Sequence, residues 1–278
     1  MSQLEIDHDD PTPTRSERRR QARAARIALE RARVERDLRR RRLALLAAIG
    51  GLAATAIAAI VIATGQGAQP AKVTPRSAEA TAVRAQVSGT LSGVPQHGNV
   101  LGSTSARVTL QYYGDLQCPV CRDFTVNVLP SLTSRWVREG RLKIEYRSLE
   151  TATREPEVFV DQQVAALAAG EQNRMWNFLE TFYGEQQEEG TGYVTEEFIR
   201  GIAAQVPGLS AARWSAARGD VTLAKAVEAD AQAAAAARLN GTPAFLIASR
   251  GRTARRFSPS SFADPRSFDT AIEASLAS

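Results

Sequence analysis

The chain has two cysteines, Cys118 and Cys121, in the stretch Gly114-Asp115-Leu116-Gln117-Cys118-Pro119-Val120-Cys121. At that spacing on a helix the second sulfur lies close enough to the first to close a disulfide. A sulfur at the start of the helix meets unpaired backbone N–H groups and the positive end of the helix dipole, both of which stabilise a thiolate. A thiolate of lowered pKa is a good attacking group and a good leaving group, as thiol–disulfide exchange requires. Other uses of the pair fit less well. A zinc site needs four ligands, usually Cys or His, and the only histidines are His8 and His97. A purely structural bridge would close too short a loop to constrain the unfolded chain much. Two idle thiols are uncommon in an exported protein. Redox chemistry is the reading the residues favour, with Cys118 attacking and Cys121 resolving, and it calls for no metal and no organic cofactor.

The surrounding pattern supplies elements that could hold such a pair. Residues 107–113 alternate Val108, Leu110 and Tyr112 on one face, which predicts a strand. The turn at 114–117 leads to Cys118, and Pro119 stands where a first helical residue belongs. The helical pattern continues to Glu139 through Phe124, Val128, Leu129, Leu132, Trp136 and Val137. Pro130 predicts a kink in it, because its missing N–H breaks one backbone bond. Gly140 suits the C-terminal cap, and residues 142–149 read as a second strand. Residues 157–239 read as helical almost throughout, in five segments, with Ser210 and Asp220 as N-caps. Gly241-Thr242-Pro243 turns into a strand at 244–248, followed by a weaker strand at 254–258. Asp264-Pro265 opens a last helix.

The formal charge of +5 invites a search for an acidic partner. Residues 15–42 hold 13 Arg against 4 acids, residues 1–14 hold 4 acids and no base, and residues 65–278 balance 22 bases with 22 acids. The positive charge therefore belongs to a tail. After Arg39–Arg42 come 22 uncharged residues, Leu43 to Thr64, and about 20 apolar residues span a membrane. The flanking arginines place residues 1–42 in the cytoplasm and everything after Thr64 outside. A cleaved signal sequence is the alternative, and it agrees on export. Residues 65–87 read as a Gly/Ala/Pro/Ser linker. The Arg-rich segment 15–42 serves as a topology signal, with anionic lipid headgroups as a further partner and no nucleic acid expected.

From about residue 88 to 278 the chain resembles the DsbA-like branch of the thioredoxin superfamily. The resemblance rests on strand–CPVC–helix, on Phe124 followed by Leu129-Pro130-x-Leu132, on Gly140-Arg141-Leu142, on the helical block, and on Gly241-Thr242-Pro243-x-Phe245. It implies an α/β class: a thioredoxin fold with an inserted helical subdomain at about 155–240, here preceded by one N-terminal transmembrane helix. It implies that Pro243 is a cis-proline facing the cysteine pair, and that the Thr242 backbone pairs with an extended substrate segment. Exported proteins with thiols or disulfides are the implied substrates. A membrane thiol oxidase of the DsbB or vitamin-K-epoxide-reductase type is the implied recycling partner.

Two departures from that pattern bear on redox strength. The dipeptide between the cysteines is Pro119-Val120, where the DsbA type has His second. Tyr112 stands six residues before Cys118, where family members often carry a buried proton-relay acid, and Asp115 is the nearest acid in sequence. Pro119, Val120 and Asp115 are therefore expected to modulate the pair. The expected activity is disulfide donation to exported proteins. Reductase or isomerase duty and a tethered, non-catalytic binding module remain as alternatives.

Overall fold

The computed structural model describes residues 77–278. The Arg-rich tail, the apolar run 43–64 and most of the expected linker lie outside the described residues. Among the described residues no helix is long and apolar enough to cross a membrane.

A six-stranded sheet forms the centre, in the order β1-β2-β4-β3-β5-β6. Its middle strand is β3 (Val108–Gly114), parallel to β4 (Leu142–Ser148) and antiparallel to β5 (Ala244–Ser249). Val108, Leu110 and Tyr112 are buried as their alternation predicts. Tyr113 is buried on the opposite face, because a central strand is covered on both sides. The short β6 (Arg255–Phe257) pairs with β5 at one edge. At the other edge, β1 (Gln96–His97) and β2 (Val100–Leu101) add an antiparallel hairpin against β4. Strands of two residues carry no readable alternation, so pattern alone does not reveal them.

Helix α1 (Ala78–Leu91) occupies the second half of the stretch expected as linker. Its Ala- and Ser-rich sequence reads as spacer composition, and its stability comes from packing and caps instead. Ser77 accepts a hydrogen bond from the Ala80 N–H at 3.0 Å. The Arg138 guanidinium reaches the carbonyls of Ser92 at 2.7 Å and Thr90 at 2.9 Å, satisfying the helix C-terminus. Val83 packs so tightly on Gly184 that a Cβ at 184 would lie 2.6 Å from it.

Helix α2 runs over residues 119–137. It opens with Pro119–Asp123 and includes two π-helical stretches, Phe124–Val128 and Thr133–Val137. The first ends just before Leu129-Pro130. The wider turn accommodates the residue that cannot donate, so the helix continues through Pro130 with a local change of winding.

The insert between β4 and β5 holds five helices: α3 (Pro156–Gly170), α4 (Met175–Gly184), α5 (Glu196–Gln205), α6 (Ala211–Ala217) and α7 (Val221–Ala236). Ser210 and Asp220 cap α6 and α7 as their sequence positions suggest. The Trp214 indole donates to the Ala165 carbonyl at 2.9 Å, joining α6 to α3. Asp230 on α7 accepts from the Ser148 N–H at 2.9 Å and from Arg147 at 2.9 Å, so the insert is bonded to the end of β4. Helix α8 (Arg266–Ala277) packs Phe268 against Phe124 and Phe245, closing the core behind α2. It starts at Arg266, with Pro265 as the cap residue. Asp264 instead accepts from the Arg266 N–H at 3.0 Å, one position earlier than an N-cap at 265.

Candidate functional site

The end of β3 delivers the chain to Cys118, which is the N-cap residue of α2 with extended backbone (φ −73°, ψ 119°). Pro119 follows in the first turn, where its lack of an N–H costs nothing. The Cys118 sulfur accepts from the Cys121 N–H at 3.4 Å, and its thiol lies 3.4 Å from the Thr242 carbonyl oxygen. Both cysteines are free thiols. Cys118 keeps 5% of its surface and Cys121 none, so an incoming sulfur can reach only the first.

The two thiols are pushed in opposite directions. Cys118 is lowered from 9.0 to about 6, chiefly by its hydrogen bond with Cys121, with help from Thr242 and from the N–H groups of Cys121 and Val120. Burial opposes this and is outweighed. Burial drives Cys121 well above the ordinary thiol value, and a negative Cys118 nearby adds to the effect. One sulfur is thus a ready thiolate at neutral pH and the other holds its proton.

The loop that faces the pair comes from far along the chain. The Thr242–Pro243 peptide is cis, Pro243 is buried, and the Thr242 hydroxyl bonds that of Thr151. Cys118, Cys121, Thr242 and Pro243 are therefore brought together. Val120 is 37% exposed, one of two large apolar side chains at the surface among the described residues, and it stands beside Cys118 on the rim.

Asp115 does something other than the role expected of it. Its carboxylate is fully buried and accepts from the backbone N–H groups of Gln117, Thr151, Ala152 and Thr153 at 2.8–3.0 Å. The Thr153 hydroxyl at 2.6 Å and the Gln162 amide at 3.3 Å complete its shell. These bonds hold the loop after β4 against the loop after β3. The carboxylate is committed to donors away from the sulfurs.

Several contributors left no trace in the sequence. Gln186, just beyond α4, donates to the carbonyls of Leu116 at 2.8 Å and Cys118 at 3.2 Å. The Arg122 guanidinium donates to the Tyr183 carbonyl at 3.1 Å. Behind Cys121 lie three fully buried tyrosines: Tyr112 on β3, Tyr146 on β4 and Tyr183 on α4. Tyr112 donates to the Tyr183 hydroxyl at 3.1 Å, and Tyr183 donates to the Asp115 carbonyl at 3.2 Å. Gly114 makes room for them, since a Cβ there would lie 2.9 Å from the Tyr146 ring and 3.0 Å from that of Tyr112. Only the mixed spacing 112, 146, 183 appears in the sequence, and nothing in it says that these rings meet.

Residues 96–262 match a family model described as Thioredoxin. A curated relative, "Probable disulfide bond formation protein D" of Bacillus anthracis, is 25% identical over 154 residues, covering 53% of this chain and 68% of that protein. Among solved structures, oxidised BdbD of Bacillus subtilis superposes with a TM-score of 0.56 at 20% identity, over 68% of this chain and 99% of that one. The α-DsbA1 protein of Wolbachia pipientis gives a TM-score of 0.55 at 15% identity, over 67% of this chain and 92% of that one. The family match spans the strand that ends at the cysteine pair, the helical insert and the cis-proline loop. The chain belongs to the thioredoxin family and is a thiol–disulfide oxidoreductase of the DsbA-like kind.

Proposed function

We propose that this chain is a membrane-tethered, extracytoplasmic oxidase that passes the Cys118–Cys121 disulfide to exported proteins. Residues 1–42 would face the cytoplasm, 43–64 would cross the membrane, and the domain from about 88 onward would work outside. The observation that carries the reading is the asymmetry of the two sulfurs: an accessible Cys118 lowered to about 6 and a buried Cys121 raised. A substrate thiolate attacks the Cys118 sulfur, and the S–S electron pair leaves with Cys121. A second substrate thiolate then attacks the substrate sulfur of the mixed disulfide, and Cys118 departs as a stable thiolate. The substrate gains a disulfide and the pair is left reduced. The carbonyl of Thr242, next to the cis-proline, offers an extended substrate segment a backbone partner. Resetting the pair requires a membrane thiol oxidase of the DsbB or vitamin-K-epoxide-reductase type.

Val120 favours a second reading. Without an imidazole between the cysteines the reduced form is less stabilised, which moves the pair toward reductase or isomerase duty. Oxidation of a reduced, unfolded ribonuclease and reduction of insulin, run side by side on the full chain, separate the two. Faster ribonuclease oxidation supports the oxidase, and faster insulin reduction reverses the direction. Inactivity in both leaves a thioredoxin-fold binding module. Protease treatment of spheroplasts tests topology, and protection of residues 65–278 would sink the extracytoplasmic assignment.

A further inference from the structure

When a thiolate attacks the Cys118 sulfur of the disulfide, the bond that breaks puts a full negative charge on Cys121, which has no exposed surface. A buried charge without a donor is costly. The Cys121 N–H points at the Cys118 sulfur and is not free to help its own. The ionisable groups around Cys121 are Cys118 on its own helix, Tyr112 on β3, Tyr146 on β4 and Tyr183 on α4. Of the tyrosines, the Tyr112 hydroxyl is the one hydrogen-bonded to the Cys121 sulfur. Tyr183 is committed to the Asp115 carbonyl, and Tyr146 lies 3.1 Å from both the Gly114 carbonyl and the Gln163 side-chain oxygen.

We infer that Tyr112 is a catalytic residue, whose hydroxyl turns from Tyr183 to the departing Cys121 sulfur and stabilises it as a thiolate. The inference rests on the oxidoreductase reading of the cysteine pair. The geometry supplies the switch. With Cys121 protonated, its S–H can donate to the Tyr112 oxygen while Tyr112 donates to Tyr183 at 3.1 Å and Tyr183 to Asp115 at 3.2 Å. With Cys121 ionised, a rotation of one O–H redirects the Tyr112 proton to sulfur. The Tyr183 proton stays on its carbonyl, so no buried donor is stranded by the move. The step balances: the bond from substrate sulfur to Cys118 forms, the Cys118–Cys121 bond breaks, and the electron pair goes to Cys121. The tyrosine keeps its proton throughout. The chain of hydroxyls ends on a carbonyl, which cannot take up a proton, so the network serves as a donor and not as a proton wire.

The test uses the full-length chain. In the Cys118→Ser background Cys121 is the only thiol, and its ionisation is followed by thiolate absorbance against pH. Tyr112→Phe should raise the Cys121 pKa. It should also slow mixed-disulfide formation with a small thiol by roughly tenfold in the otherwise wild-type protein, the rate equivalent of one hydrogen bond to an ionised group. Tyr183→Phe should lower the Cys121 pKa, because Tyr112 then has only the sulfur to donate to. A general packing defect would move both variants the same way. An unchanged Cys121 titration in Tyr112→Phe, or shifts of equal sign in the two variants, would overturn the inference. A wild-type protein inert toward thiols would sink the oxidoreductase reading instead, and the Cys121 titrations would still decide what Tyr112 does.

Discussion

The Cys118 sulfur stands 3.4 Å from the carbonyl oxygen of Thr242, a residue 124 positions further along the chain. Together with the 3.4 Å bond from the Cys121 N–H, this contact fixes Cys118 between the helix that stabilises its charge and the loop that can present a substrate. The accessible sulfur therefore has a donor on one side and a backbone acceptor on the other, while Cys121 lies sealed beneath.

That arrangement assigns different roles to the two cysteines. Cys118→Ser should abolish exchange with protein substrates. Cys121→Ser should accumulate mixed disulfides through Cys118, because the resolving thiol inside the site is gone. Non-reducing gels of the two variants check this, and adducts on Cys118→Ser in place of Cys121→Ser would reverse the assignment.

The lowered Cys118 thiol makes the reduced protein's stability depend on pH. Between about 6 and the ordinary 9.0 the unfolded chain binds one more proton at this site than the folded one, so stability rises with pH across that window. The contribution is complete above the upper value and is lost as pH falls toward about 6. Urea unfolding of reduced and oxidised protein at about pH 5 and about pH 8 reads it. The reduced form should gain on the oxidised form at the higher pH, and an equal response of both forms would refute the shift.

Val120→His should make the disulfide more oxidising. Val120 is exposed beside Cys118, and an imidazolium there adds a positive charge that favours the Cys118 thiolate. One pKa unit is worth about 1.4 kcal/mol, or about 30 mV for two electrons. A rise of roughly 30 mV or more in potential is expected on equilibration with glutathione buffers. An unchanged or lower potential would mean that the dipeptide does not govern this site.

Asp115→Ala should act on stability rather than redox strength. It strands three backbone N–H groups of the 151–153 loop along with the Gln117 N–H, at a cost of about 2–4 kcal/mol. Thermal unfolding measures the loss. A large change in potential with little change in melting temperature would restore Asp115 as a modulator of the sulfurs.

Glu180 on α4 is buried with one carboxylate oxygen unpartnered, and burial raises it well above 4.5. Its neutral form is the one the fold accepts, so the contribution is fully present below the ordinary value and is lost as pH rises toward the raised one. Glu180→Gln should therefore raise the melting temperature at neutral pH and make little difference in acid. A lower melting temperature at neutral pH would show that the charged form is satisfied after all.

By itself the sequence determined the cysteine pair, its place between a strand and a helix, the helical block and the loop at Thr242-Pro243. Each of these is local: period-two alternation before Cys118, a proline at the helix start, cap residues at Ser210 and Asp220, and a Gly-Thr-Pro turn before an apolar run. Elements stabilised by contacts rather than by pattern escaped it. Helix α1 depends on the fit of Val83 to Gly184 and on Arg138, and two-residue strands have no period to read. The Pro130 kink became a π-helical turn, because the cost of a missing N–H can be absorbed by rewinding. Only the tertiary structure decided what surrounds the sulfurs. Asp115, near in sequence, turned its carboxylate to the 151–153 loop. Tyr183 and Gln186, more than sixty residues away, closed on the site from the insert. Hydrogen bonds form between groups that folding brings within about 3 Å, and separation along the chain carries no record of that distance.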